Sequence, residues 1–291
     1  MKARSRPITL LGILNLTDDS FYAGSRMLGA GADALLERVG QMRQEAGGLP
    51  FVADLGACST RPGSRGVGQD EEWKRLGPAL RLLRAHFPDL SLSIDTYWPS
   101  VVRRAFDAVG PVMVNDISAG GLSRCWPREP DAPGAMLTLA GQLGLPFIAM
   151  HMRGMPETMQ ERCDYGDGPD AVLRDVLDYF STFGRLAGEA GVQDWIVDPG
   201  FGFSKTTAQN WELFHRLEAL EAAGRPVLVG ISRKSMLYKP LGITPEEALP
   251  ATCRAHLEAL RRGADLLRVH DVGEAARTVA EYRAEGNQNP V

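Results

Sequence analysis

Cysteine is scarce in this chain. Four residues of 291, Cys58, Cys125, Cys163 and Cys253, lie far apart with no C-x-x-C pair. That dispersal argues against a zinc site or a disulfide framework, and it reads as reduced thiols in a cytoplasmic protein. Long apolar runs are missing too. None reaches the roughly 18 residues that a membrane span requires, so no membrane contact is expected. The basic start, Met1 to Arg6, runs into an apolar stretch broken at Asn15 and Asp18, a poor match for a secretory leader. There is no excess of positive charge. The formal net charge is -4, so no global field draws in nucleic acid, and an anionic ligand must be gripped by local groups. A Gly/Ser-rich linker and an internal sequence repeat are likewise absent.

What is present is ordinary globular material, 44% hydrophobic and 23% charged, enough to bury a sizeable core. Eight short apolar runs recur: Ile8 to Leu14, Phe51 to Ala53, Leu90 to Ile94, Val112 to Val114, Phe147 to Met150, Trp195 to Val197, Val227 to Val229 and Leu266 to Val269. Most are near-continuous, as parallel strands buried on both faces should be. Helical spacing fills the gaps over Ala34 to Ala46, Trp73 to Phe87, Val172 to Ala190 and Leu249 to Leu260. Thr244-Pro245-Glu246-Glu247 has the form of a helix start, Thr206 or Thr207 suits a cap, and Pro99 suits a first turn. Gly47-Gly48, Gly191, Gly224 and Gly263 fall where helices should stop. The alternation predicts an α/β protein: a single (β/α)₈ barrel over residues 7–285, with flexible ends at 1–6 and 286–291. A doubly wound open sheet is the second choice. The proline- and charge-rich stretch from Leu122 to Pro133 reads as a surface loop.

Polar residues follow each apolar run, and in a barrel those strand ends converge on one mouth. Asp95, Asn115 and Asp198 form one set, expected to lie deep. Buried carboxylates need donors or cations, and a heterocycle with paired N–H groups supplies donors. Asn15, Thr60, Arg61, Ser232, Arg268 and His270 form a second set, from the first two and last two strands. Arginine forks and hydroxyls suit phosphate oxygens. The Asn15 carbonyl oxygen suits Mg²⁺, which takes oxygen ligands and often relies on substrate phosphates. Simpler readings stand beside these. Arg268 and Asp271 also fit structural ion pairs, Lys205 a surface charge, Cys58 packing, and His215 and His256 structural roles. His151 is open between core residue and ligand.

With these residues in view, the chain resembles the dihydropteroate synthase family, a group of pterin-binding TIM barrels, from about Leu11 to Val272. The resemblance rests on Leu11-Gly12-Ile13-Leu14-Asn15-Leu16-Thr17 with Asp19-Ser20-Phe21, Ser59-Thr60-Arg61-Pro62-Gly63, Ser93-Ile94-Asp95-Thr96, and Val114-Asn115-Asp116-Ile117-Ser118. It continues in Met150-His151-Met152-Arg153-Gly154, Asp198-Pro199-Gly200-Phe201-Gly202-Phe203, Ser232-Arg233-Lys234-Ser235, and Arg268-Val269-His270-Asp271. Each block alone is weak; eight in order are specific.

The resemblance implies condensation of 6-hydroxymethyl-7,8-dihydropterin diphosphate with 4-aminobenzoate, releasing pyrophosphate. It assigns pterin to Asp95, Asn115, Met150, Asp198, Phe203 and Lys234. It assigns diphosphate to Asn15, Thr60, Arg61, Ser232, Arg268 and His270, with Mg²⁺ at Asn15. It assigns 4-aminobenzoate to Phe21, Thr60, Pro62, Lys234 and Ser235. Arg61, Lys234, Arg268 and His270 are its catalytic residues, and a homodimer is expected. The sequence departs from the family pattern at Asp18 (usually proline), Ala23 (usually aspartate) and Cys58 (commonly glutamate). Ala23 raises the alternative of a non-catalytic pterin-binding relative. A pterin-dependent methyltransferase serving a corrinoid partner is the other alternative, and the Ser232-to-Ser235 and Thr60-Arg61 blocks speak against it.

Overall fold

The computed structural model describes residues 6–16, 30–58, 67–121, 134–154 and 158–288. Eight parallel strands form one sheet: β1 (Thr9–Asn15), β2 (Phe51–Gly56), β3 (Ser91–Asp95), β4 (Met113–Asp116), β5 (Phe147–Met150), β6 (Trp195–Asp198), β7 (Leu228–Val229) and β8 (Leu266–Val269). They run in the order β6-β5-β4-β3-β2-β1-β8-β7. A parallel bridge between Val197 and Val227 joins the two ends, and the Val197 N–H donates to the Pro226 carbonyl at 2.9 Å. The sheet therefore closes in sequence order. That is a (β/α)₈ barrel, and the open-sheet alternative falls.

Helices clothe it: α1 (Ala30–Glu45), α2 (Gln69–His86), α3 (Pro99–Val109), α4 (Ala135–Leu143), α5 (Ala171–Ala190), α6 (Thr207–His215), α7 (Ser235–Tyr238), α8 (Leu249–Arg261) and α9 (Val272–Gln288). Their ends follow local chemistry. Pro99 opens α3. Thr206 and Gln209 make a reciprocal capping box on α6. Thr244 and Glu247 exchange two hydrogen bonds around the turn that precedes α8. Gly191 closes α5 at φ 81°, a left-handed geometry that glycine adopts without strain. Leu122 to Pro133 lies outside the described residues.

Two apolar layers result. The larger packs the outward strand residues against the helices and includes Leu10, Ala53, Ile94, Val114, Phe147 and Val197. The smaller plugs the barrel interior with Leu11, Val52, Ile148, Ile196, Leu228 and Leu266, and Met113 packs against it. Side chains alternate along a strand, so the inward face continues two residues on. That step leads from Val52 to Asp54, Met113 to Asn115, Ile148 to Met150, Ile196 to Asp198, and Leu266 to Arg268. The plug thus forms the floor beneath a ring of mostly polar residues. These residues sit inside the strands, which is a correction: β2, β3, β4 and β6 all extend past the apolar runs that mark them in the sequence.

Candidate active site

Asp54 is fully buried near the middle of β2. Its carboxylate accepts from Ser93 Oγ at 2.6 Å and from Asn115 Nδ2 at 3.1 Å. Arg268 reaches across from β8, with Nε 2.6 Å from Asp54 and Nη2 2.7 Å from Asp95. The guanidinium therefore bridges β2 and β3. The sequence offers Arg268 both as an anion-binding group and as an ion-pair partner, and the two guanidinium contacts here are to carboxylates. Asp271, by contrast, makes a two-point pair with Arg233 at 2.8 and 2.9 Å.

Asp198, at the end of β6, accepts from the Gly200 N–H at 2.8 Å. Gly200 has φ +67°, and a Cβ there would lie 2.0 Å from the His151 carbonyl, so only glycine fits this turn. Lys234 enters from the β7–α7 loop. Its Nζ donates to the Phe201 carbonyl at 2.5 Å and sits 4.7 Å from the centre of the Phe203 ring. Arg233 just before it has φ +55°, a conformation costing about 1 kcal/mol or more outside glycine. Its guanidinium holds that turn through Asp271 and the carbonyls of Pro245 and Glu246. Met150 and Phe203 share an apolar patch with Tyr97, Ile117, Met152 and Met159.

Asp54, Asp95 and Asp198 share the mouth with Arg268 and Lys234, and the Lys205 ammonium acts on Asp198 from behind. Burial pushes the Asp95 carboxyl up to about 6 against the pull of Arg268, and burial raises Asp198 against the pull of Lys234. Burial lowers Lys234 to about 8, with Asp198 holding it up. A ligand carrying paired N–H donors offers these buried carboxylates further hydrogen bonds.

Ser232 and His270 meet at the ends of β7 and β8. The His270 backbone N–H points at Ser232 Oγ (3.4 Å), and the same oxygen lies 3.0 Å from His270 Nδ1. The Ser232 oxygen has two lone pairs, so the His270 ring takes the hydroxyl proton at Nδ1 or donates to it, according to its tautomer. Burial, then Arg268, lowers His270 to about 4. His270 is therefore a neutral ring at neutral pH. Ser235 is half-buried at the start of α7, and Asn15 ends β1. A Cβ on Gly56 would lie 3.9 Å from Asn15 Oδ1 and 3.7 Å from Asp95 Oδ2, so the amide and the carboxylate flank the same point of β2. Phe21, Thr60, Arg61 and Pro62 lie outside the described residues, as do Asp18 and Ala23.

Behind the mouth sits a network that the sequence reading missed. Lys205 is a buried residue, not a surface charge. Its three N–H groups meet His151 Nδ1 at 3.0 Å and the carbonyls of Gly200 and Phe203 at 3.1 Å. Three acceptors require all three protons, so the site fits the ammonium form, although burial lowers Lys205 to about 7. His151 Nε2 lies 2.8 Å from Asp175, and Arg153 pairs with the same carboxylate. His151 is thus a core histidine that ties the β5 and β6 loops together. The Lys205-to-Gly200 spacing, on one turn after a strand, was the available signal. Cys58 is partly buried and burial raises its thiol, in keeping with packing. A cavity of about 770 Å³ opens between the β5 loop and α5, beside Arg153, Asp175 and Tyr179. It contains none of the mouth residues.

The sequence matches the family described as pterin binding enzyme over residues 11–270. Dihydropteroate synthase of Synechocystis is 38% identical over 271 residues, covering 92% of this chain and 86% of that protein. The Yersinia pestis dihydropteroate synthase in a sulfonamide drug complex superposes with a TM-score of 0.82 at 33% identity, covering 97% of this chain and 95% of the other. The Thermus thermophilus enzyme in complex with 4-aminobenzoate gives 0.78 at 34% identity, over 96% and 94%. The extent of these matches means that this chain belongs to the dihydropteroate synthase family of pterin-binding enzymes.

Proposed function

We propose that the protein is a dihydropteroate synthase, joining 6-hydroxymethyl-7,8-dihydropterin diphosphate to 4-aminobenzoate. One observation carries the reading: the carboxylates Asp54, Asp95 and Asp198 and the cations Arg268 and Lys234 gather in a single barrel mouth. Asp198 takes the amidine edge of the pterin and Asn115 its ring edge. Met150 and Phe203 flank the ring, and the Lys234 ammonium lies over Phe203. The diphosphate lies at the β7 and β8 ends, beside the Ser232–His270 pair. Thr60 and Arg61 join it, and 4-aminobenzoate enters among Phe21, Thr60, Pro62, Lys234 and Ser235.

The bond from the methylene carbon to the diphosphate oxygen breaks, and pyrophosphate leaves with the electron pair. The amine nitrogen of 4-aminobenzoate forms the new bond to carbon and then loses a proton. An arylamine nitrogen that has become cationic is acidic, so no strong base is required, and Lys234 orients rather than attacks. Preorganised donors stabilise the leaving charge as it develops. Mg²⁺ fits the donor set at Asn15, whose amide oxygen stands at the rim near Asp95; when bound it neutralises diphosphate charge. We assign the protein to the cytoplasm, as a homodimer. Among the described residues no helix is long and apolar enough to cross a membrane.

The test is pyrophosphate release from the pterin diphosphate with and without 4-aminobenzoate. Release that depends on 4-aminobenzoate is expected. Release indifferent to it, or none at all, overturns the reading.

A further inference from the structure

Asp54 has no part in the ligand contacts above, yet every partner of its side chain lies in or beside the mouth. We propose that Asp54 is a positioning residue for pterin recognition, which fixes the end of the Asn115 amide that faces the ligand. The inference rests on the reading of Asn115 as a pterin contact.

A carboxylate only accepts. Asn115 Nδ2 lies 3.1 Å from one Asp54 oxygen and 3.4 Å from the other. Turning the amide over would set its oxygen against a carboxylate with no proton between them. The amide nitrogen is therefore held inward. The carbonyl oxygen takes no hydrogen bond from a described residue, and it is not among the side-chain atoms sealed from solvent without a partner. It is the end left for a ligand, and it demands a donor.

Asp54 has no spare capacity for the ligand itself. One oxygen takes Ser93 Oγ and the amide, and the other takes Arg268 Nε and the amide. The second arm of Arg268 goes to Asp95, so the plane of the guanidinium is set by two fixed carboxylates. Asp54 thereby orients one amide and one cation without touching substrate.

The experiment is a polarity swap. Asp54→Asn frees the Asn115 amide to turn its nitrogen outward. Asn115→Asp sets two carboxylates face to face. In the double variant, the nitrogen of residue 54 donates to the carboxylate at 115, and its oxygen still accepts from Arg268. An acceptor faces the ligand again. Binding of 6-hydroxymethylpterin is measured by calorimetry on the full chain, with thermal melting as the folding control.

The expected result is binding at least about tenfold weaker in Asp54→Asn, the scale of one lost buried hydrogen bond. The double variant is expected to return to within about threefold of wild type, an effect of pairing rather than stability. Wild-type binding by Asp54→Asn, or a double variant no tighter than Asp54→Asn, overturns the proposal. Should Asp54→Asn not fold, the double variant is compared with Asn115→Asp, and about tenfold tighter binding is expected; equal binding overturns the proposal. Asn115→Ala separates the two levels. Unchanged binding there removes Asn115 from the pterin site, and the role of Asp54 falls with it.

Discussion

Glu72 offers a quantitative test of the packing around the mouth. It lies in the first turns of α2 and is fully buried. Neither carboxyl oxygen has a hydrogen-bond partner among the described residues. Burial drives its pKa from 4.5 up to about 8, against a weaker downward pull from the Thr96 hydroxyl, which falls short of hydrogen-bonding geometry, and with an upward push from Asp95. The folded pKa lies above the unfolded one. The stability associated with the neutral acid is thus complete below about pH 4.5 and is lost as pH rises towards 8. Each pH unit in that window costs about 1.4 kcal/mol. Glu72→Gln keeps the shape and cannot ionise. Relative to wild type, the variant should gain about 1.4 kcal/mol per pH unit between pH 5 and 7.5, reaching about 3–4 kcal/mol at pH 8. Urea unfolding at pH 5, 6, 7 and 8, compared through ΔG rather than midpoint alone, measures this. A stability difference between the two proteins that stays flat across these pH values would refute the argument, because it would mean that Glu72 is already ionised or is solvated in the native state.

Three further outcomes follow from the mouth and its surroundings. Asp198→Asn should weaken pterin binding by about 1–3 kcal/mol, the cost of unpairing a buried polar contact; calorimetry showing no loss removes Asp198 from the pocket. Arg268→Ala should abolish pyrophosphate release and also lower stability by about 3 kcal/mol, since Asp54 and Asp95 lose their shared cation; a variant with wild-type melting and turnover refutes both roles. His151, His256 and His270 are each held near 4 by burial. The unfolded chain therefore takes up protons from pH 6.5 downwards that the native state refuses, and stability falls by about 1.4 kcal/mol per pH unit per histidine between 6.5 and 4. Glu72 has the opposite slope in part of that range, so the acid loss should be steeper in Glu72→Gln than in wild type.

The architecture was legible because parallel strands buried on both faces leave continuous apolar runs, and two of them, Phe147 to Met150 and Leu266 to Val269, coincide with β5 and β8. The strand ends were not legible, for a physical reason. Inside a barrel the inward face changes from apolar plug to polar ring within a single strand. A polar residue there looks like the first residue of a loop. Asp54 was passed over on that account, though the step of two from Val52 was available. Lys205 was misread because a lone lysine in a glycine-rich turn is normally solvated. Only the folded chain shows that three acceptors, from His151, Gly200 and Phe203, converge on it. The pairing of Arg268 with Asp54 spans 214 residues of sequence, beyond the reach of any local pattern.

These oversights share a cause that bears on how the site works. The groups that touch ligand sit at strand ends and in the turn after β7, where a motif can mark them. The groups that aim them sit one layer deeper or one loop away: Asp54 beneath Asn115 and Arg268, Asp271 behind the turn carrying Lys234, Lys205 under the turn after Asp198. Asp54 and Lys205 have their hydrogen bonds used up within the protein, and Asp271 is engaged in a two-point pair with Arg233. A support with spare valence would compete with substrate for the group it holds, and one without charge would let that group turn. Full occupancy is thus the property that makes a side chain a support rather than a ligand contact. By the same measure Glu72, with both oxygens unpartnered among the described residues, does not behave as a support, and its conversion to an amide is expected to be tolerated where that of Asp54 is not.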